Sequence, residues 1–218
     1  MQLEAGALNI YNVALKEKLG NGVPAAVANA KVTPAPNGGH FADISFTAPT
    51  QNQAGAPLSA LSKIDIFRGE ELVKSFANPT PGTTLNYTDS NVPNGKTTYK
   101  ITPFSADGEG ASTEIDTFVG IDIPAAVPKL SFTYANGKAH ITWEKVATGA
   151  NGAYVNPENI TYTLRRGKAT EIAKNLKSNT FEDTPPAQDE QEALAYVVSP
   201  VNEAGEGERT YSNIVVTG

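Results

Sequence analysis

A chain of 218 residues, 39% hydrophobic and 18% charged, holds enough apolar material for one or two packed cores, which argues against a disordered chain. Its formal net charge of −6 comes with no stripe of Lys and Arg, so neither nucleic acid nor an anionic membrane surface is expected as a partner. The lack of cysteine excludes disulfides, thiolate nucleophiles and Cys-based metal sites, and no run of roughly 18 apolar residues is present to span a membrane.

The first 22 residues stand apart. Met1-Gln2-Leu3-Glu4 has neither a basic nor an apolar leader, so it does not read as a signal peptide, and an exported protein is expected to carry its signal elsewhere. Leu8, Tyr11, Leu15 and Leu19 fit one face of a helix, while Leu8, Ile10, Val13 and Leu15 fit a strand or the tail of an upstream domain, and the pattern does not separate these.

From residue 23 the chain runs through one pattern twice. Val23-Pro24-Ala25-Ala26-Val27 returns as Ile123-Pro124-Ala125-Ala126-Val127, and Ile44-Ser45-Phe46 as Ile141-Thr142-Trp143. Ile64-Asp65-Ile66-Phe67-Arg68-Gly69 returns as Tyr162-Thr163-Leu164-Arg165-Arg166-Gly167, and Tyr87-Thr88-Asp89 as Phe181-Glu182-Asp183. Tyr99 through Gly110 matches Tyr196 through Gly207 without a gap. Five matches in one order mark a duplication with a period of about 97 residues, with small drifts where loops differ in length. The expected organisation is an extension over 1–22, a first domain over 23–122 and a second over 123–218.

Each repeat reads as strand and turn. Ile44 and Phe46 alternate with Asp43 and Ser45, Ile64 and Ile66 with Asp65, and Tyr99 and Ile101 with Lys100 and Thr102. Ala139, Ile141 and Trp143 repeat that alternation around His140 and Thr142. Ile115-Asp116-Thr117-Phe118-Val119 and Asn213-Ile214-Val215-Val216 read as closing strands, and Asn37-Gly38, Asn94-Gly95, Asn136-Gly137 and Ala204-Gly205 as turns. Strands with one apolar face each must pack sheet on sheet, so each repeat is expected to be an immunoglobulin-like β-sandwich. Pro103 and Pro200 interrupt the sixth strand and are expected at an edge, a bulge or a strand end.

Over residues 23–218 these motifs resemble tandem fibronectin type III domains. The resemblance rests on the Val23-Pro24 and Ile123-Pro124 openings, the loops Ser105-Ala106-Asp107-Gly108-Glu109-Gly110 and Asn202-Glu203-Ala204-Gly205-Glu206-Gly207, and four aromatics. It implies that Trp143 is the core tryptophan of the second strand, that Phe46 takes its place in the first repeat, and that Tyr99 and Tyr196 are corner tyrosines whose hydroxyls bond backbone. The connections from Pro49 to Leu61 and from Lys145 to Asn159 are longer than the pattern asks. Tandem arrays of this kind resemble those in surface or secreted bacterial proteins. The expected role is therefore a non-catalytic structural, adhesive or protein-interaction module, extracellular or at the cell surface. Expected partners are other domains of the same protein, extracellular proteins or glycans, with the chain itself monomeric.

Little in the chain suggests chemistry. His40 and His140 do not correspond under the duplication and read as surface residues. Glu70-Glu71, Asp189-Glu190 and Glu206 with Glu208 are acidic pairs in turns. Asp89-Ser90-Asn91-Val92-Pro93-Asn94-Gly95 departs from a calcium loop, having Pro93 in a ligand position and Lys100 where the closing Glu belongs. Arg68-Gly69-Glu70 lacks the Asp of an integrin-binding triplet. No catalytic residue, metal or cofactor is expected. The alternative role is a carbohydrate-binding accessory region, for which Tyr154 in the long loop of the second repeat is the candidate ligand-binding side chain.

Overall fold

Alternating apolar residues become alternately buried strands. In the computed structural model, which describes residues 22–186 and 191–217, Ala42, Ile44 and Phe46 of one strand are buried while Phe41 and Asp43 face out. The N-terminal extension expected over 1–22 and the pair Asp189-Glu190 lie outside the described residues, except for Gly22.

The described chain divides into two compact units. Unit 1 runs to Ala35 and resumes over His40–Val119, and unit 2 takes Pro36–Gly39 and everything from Gly120.

Unit 1 contains β1 (Ala28–Pro34), β2 (Phe41–Thr47), β3 (Lys63–Arg68), β4 (Glu71–Ala77), β5 (Thr84–Ser90), β6 (Gly95–Ser105), β7 (Gly108–Glu109) and β8 (Thr113–Val119). One sheet has the order β1-β2-β5 and the other β4-β3-β6, with β7 and β8 both paired to β6. All of these pairs are antiparallel. The facing sides bury Ile44 and Phe46 from one sheet against Ile64, Ile66, Tyr99 and Ile101 from the other. Phe46 meets Phe76 edge to face at 6.0 Å.

Unit 2 repeats the plan. Its strands are β9 (Ser131–Ala135), β10 (Lys138–Thr142), β11 (Thr161–Arg166), β12 (Thr170–Leu176), β13 (Thr180–Asp183), β14 (Glu192–Leu194), β15 (Tyr196–Asn202), β16 (Gly205–Glu206), β17 (Thr210–Tyr211) and β18 (Val215–Thr217). The orders are β13-β10-β9 and β12-β11-β15, with β16 and β17 on β15 and β18 on β14. Trp143 is buried just past β10 and stacks edge to face on Tyr162 at 5.3 Å, while Tyr196 meets Phe132 at 4.9 Å. The hairpin between β9 and β10 uses Asn136 and Gly137, both at positive φ as a two-residue turn of the primed kind requires.

Two expectations need correction. Pro103 and Pro200 sit within β6 and β15, paired with Ile64 and Tyr162 on a neighbouring strand, rather than at a sheet edge. They are tolerated because the ladder on their other side is interrupted. β6 pairs with β8 up to Ile101 and with β7 only from Phe104, so the proline stands where a donor is not needed. The last strand of the second repeat is also not continuous over 213–216. It breaks after Tyr211 and resumes at Val215.

The repeated glycines have a shared cause. Gly110 N–H bonds the Pro103 carbonyl and Gly207 N–H the Pro200 carbonyl, both at 2.8 Å. At these points the opening segment of the same unit crosses, so a Cβ on Gly110 would fall against the Pro24 carbonyl and one on Gly207 against that of Pro124. The Pro24/Pro124 and Gly110/Gly207 matches are two halves of one contact.

Candidate functional site

The chief cluster of interacting ionisable groups occurs twice, at equivalent places. In unit 1 the Tyr99 hydroxyl donates to Asp89 Oδ2 at 2.7 Å, and Arg68 Nη1 donates to the same oxygen at 2.7 Å. In unit 2 the Tyr196 hydroxyl donates to Asp183 Oδ2 at 2.6 Å, and Arg166 grips the carboxylate with Nε and Nη2 at 2.7 and 2.6 Å. Each partner comes from a different strand. Asp89 is the penultimate residue of β5 and Asp183 the last of β13, in one sheet, while the Arg and Tyr stand on β3 and β6 or β11 and β15, in the other. The cluster therefore ties the two sheets of each sandwich together.

Its electrostatics follow from burial and pairing. Tyr99 and Tyr196 are fully buried, and desolvation, reinforced by the hydrogen bond to a carboxylate, drives both phenols well above their ordinary range. Burial alone would raise the Asp183 carboxyl, but the hydrogen bonds from Arg166 and Tyr196 outweigh it and hold the group below its usual value. The hydrogen bond to Asp183 also raises the Arg166 guanidinium. In unit 2 these directions keep the Tyr196 phenol protonated, the Asp183 carboxylate ionised and the Arg166 guanidinium charged at neutral pH.

The structure corrects the acceptor expected for the two tyrosines. Their hydroxyls reach a side-chain carboxylate, not backbone. The arginines and aspartates had a visible signal, since Arg68-Gly69 and Asp89 recur as Arg166-Gly167 and Asp183, but spacing alone does not pair them. Tyr162, by contrast, uses its hydroxyl as an acceptor for the Val146 N–H at 3.0 Å.

The two long loops are internally braced. Asn52 Oδ1 accepts the N–H groups of Ala54 and Ala56 at 3.0 and 2.9 Å in unit 1. In unit 2 the fully buried Asp122 takes the Asn151 N–H at 2.7 Å and its amide at 2.8 Å, with Ala153 N–H at 3.3 Å. Tyr154 follows in that loop. It is half-buried, and its backbone carbonyl accepts the Asp122 N–H at 2.8 Å.

Each unit also has an open groove. The one in unit 1, about 500 Å³, is lined by Leu58, Ser59, Ser62, Asn78 and Asp107 among others. The one in unit 2, about 680 Å³, is lined by Tyr134, Arg166, Lys168, Glu192 and Thr217 among others. Tyr154 lines neither. Arg166 is committed to Asp183, which leaves the second groove with Lys168 and Glu192 as opposed surface charges.

The remaining candidates fall where surface chemistry would put them. His40 is exposed with Nδ1 3.1 Å from the Val92 carbonyl, and His140 is exposed on β10. Arg68-Gly69-Glu70 forms the β3–β4 turn, with Gly69 at positive φ. Glu206 accepts from Ser199 at 2.6 Å and pairs with Arg165 at 3.1 Å. Asp89, the first residue of the calcium-like stretch, is occupied by Arg68 and Tyr99.

No protein-family model matches the chain, and no curated protein matches it. Among solved structures, the crystal structure of the FN1–FN3 domains of chicken CNTN1 is similar at 12% identity, covering 89% of this chain and 67% of that one with a TM-score of 0.40. The chain's own strand order and register make it an all-β protein of two tandem immunoglobulin-like β-sandwiches.

Proposed function

We propose that the chain is a non-catalytic structural or interaction module of an extracellular protein, joined to further domains or binding other extracellular proteins. The observation that supports this is the duplicated Arg–Asp–Tyr cluster. In each unit a buried carboxylate, Asp89 or Asp183, is held from the facing sheet by one tyrosine and one arginine. A module that carries load or presents surfaces needs such bracing, whereas a catalytic centre needs groups whose protonation changes near working pH.

Single-molecule stretching tests the reading. A tandem structural module should give two discrete unfolding events, each releasing roughly 300 Å of chain, as about 100 residues extended at about 3.3–3.6 Å each would. A single event, or extension without resistance, contradicts it. Labelling of intact cells with an antibody against the chain tests the location: a signal that appears only after permeabilisation contradicts the extracellular reading.

A further inference from the structure

Among the described residues, strand β9 lies at one edge of its sheet, with β10 on its inner side. The tight turn joins Ala135 to Lys138, and Thr133 pairs with His140 two residues further on. Hydrogen-bonded pairs therefore fall at Ala135, Thr133 and Ser131, and the N–H and C=O of Phe132 point away from the sheet. Such an edge can add a strand from another chain. The β9 sequence Ser-Phe-Thr-Tyr-Ala has no charge and no proline, and its register with β10 has no bulge. Those are the features that leave an edge open to pairing.

The counterpart edge in unit 1 is protected by ordinary means. β1 carries an irregularity between Ala28 and Lys31 with Asn29 at positive φ, the charge of Lys31, and Pro34. β9 has one different feature. Asn213 Oδ1 accepts the Phe132 N–H at 3.0 Å, and Asn213 Nδ2 donates to the Phe132 carbonyl at 3.2 Å. One side-chain amide thus satisfies both outward groups of the residue, as a neighbouring strand would. Asn213 can do this because the last strand breaks there: the Ser212 hydroxyl takes the Tyr196 N–H at 2.9 Å, and pairing resumes only at Val215. In the unbroken β8, Asp116 uses its carboxylate to accept the Thr98 hydroxyl at 2.6 Å.

We propose that β9 is a latent strand-docking edge held closed by Asn213, and that the partner it fits is β9 of a second copy of this chain, paired antiparallel. Two copies of an uncharged strand related by a two-fold axis place no like charges opposite one another, and the contact is self-complementary.

Light scattering on the full chain after size exclusion, over a range of concentrations, tests this. The unsubstituted chain should stay monomeric, Asn213→Ala should double in mass as concentration rises, and adding Thr133→Lys to it should restore the monomer by setting charge against charge. A folded Asn213→Ala chain that stays monomeric, an assembly that survives Thr133→Lys, or an unsubstituted chain that is already dimeric would overturn the proposal. If Asn213→Ala does not fold, hydrogen exchange on the unsubstituted chain decides. The Phe132 amide should exchange more slowly than that of Tyr134, which faces the same edge, and equal rates would overturn the proposal.

Discussion

Tyr99 and Tyr196 each give a single proton to a buried carboxylate, and the value of that bond is measurable because phenylalanine fills the same space. Tyr99→Phe and Tyr196→Phe should each cost their own unit about 1–3 kcal/mol in denaturant unfolding, since Asp89 or Asp183 loses a donor inside the protein. Glycines offer a second measurement. Gly207→Ala drives a Cβ into the Pro124 carbonyl and should cost about 3 kcal/mol or more. Gly137→Ala meets open space and pays only for its left-handed backbone, about 1–2 kcal/mol. Equal losses at the two positions would contradict the crossing described for Pro124. At this scale the sequence announced the buried aromatics, because Tyr99, Tyr196, Phe46 and Trp143 sit on alternating apolar faces. It did not announce their partners. Asp89 lies ten residues before Tyr99, Asp183 thirteen before Tyr196, and each arginine is on another strand, so the pairing exists only once the sheets face each other.

The Arg–Asp–Tyr cluster makes the cohesion of the two sheets depend on pH. The Asp183 carboxyl is held below its ordinary value in the folded unit, so its stabilisation is full above that value, about pH 4, and is lost as pH falls through the folded value. Unit 2 should therefore weaken below about pH 4, and Asp183→Asn should flatten that acid limb while lowering stability at neutral pH. The phenols act in the opposite sense. Because Tyr99 and Tyr196 are raised, their contribution is full below about pH 10 and fades as pH climbs beyond it, so Tyr→Phe variants should show a shallower alkaline loss. Melting curves at acid, neutral and alkaline pH check both. Strand positions were the more legible part of the elements, since period-two alternation survives in sequence. The prolines and the last strand were not. Pro103 and Pro200 look like edge residues until the interrupted ladder beside them is seen, and the break at Ser212-Asn213-Ile214 hides in a run that alternates well enough for a strand.

Duplication was the largest feature that the sequence displayed, and each copy has its own core. Ile44, Phe46, Ile64 and Tyr99 belong to one, and Ile141, Trp143, Leu164 and Tyr196 to the other. The central claim is that each unit is a separate sandwich braced by its own tyrosine cluster. Trp143 is the chain's single tryptophan and lies in the second core, so its fluorescence reports unit 2. The direct test is denaturant unfolding of the unsubstituted chain, Tyr99→Phe and Tyr196→Phe, followed by Trp143 fluorescence and by far-ultraviolet circular dichroism. Tyr196→Phe should move the fluorescence midpoint to lower denaturant, while Tyr99→Phe should leave it in place and lower only the part of the circular dichroism transition that belongs to unit 1. A fluorescence midpoint that shifts equally in both variants, or in neither, would contradict the account.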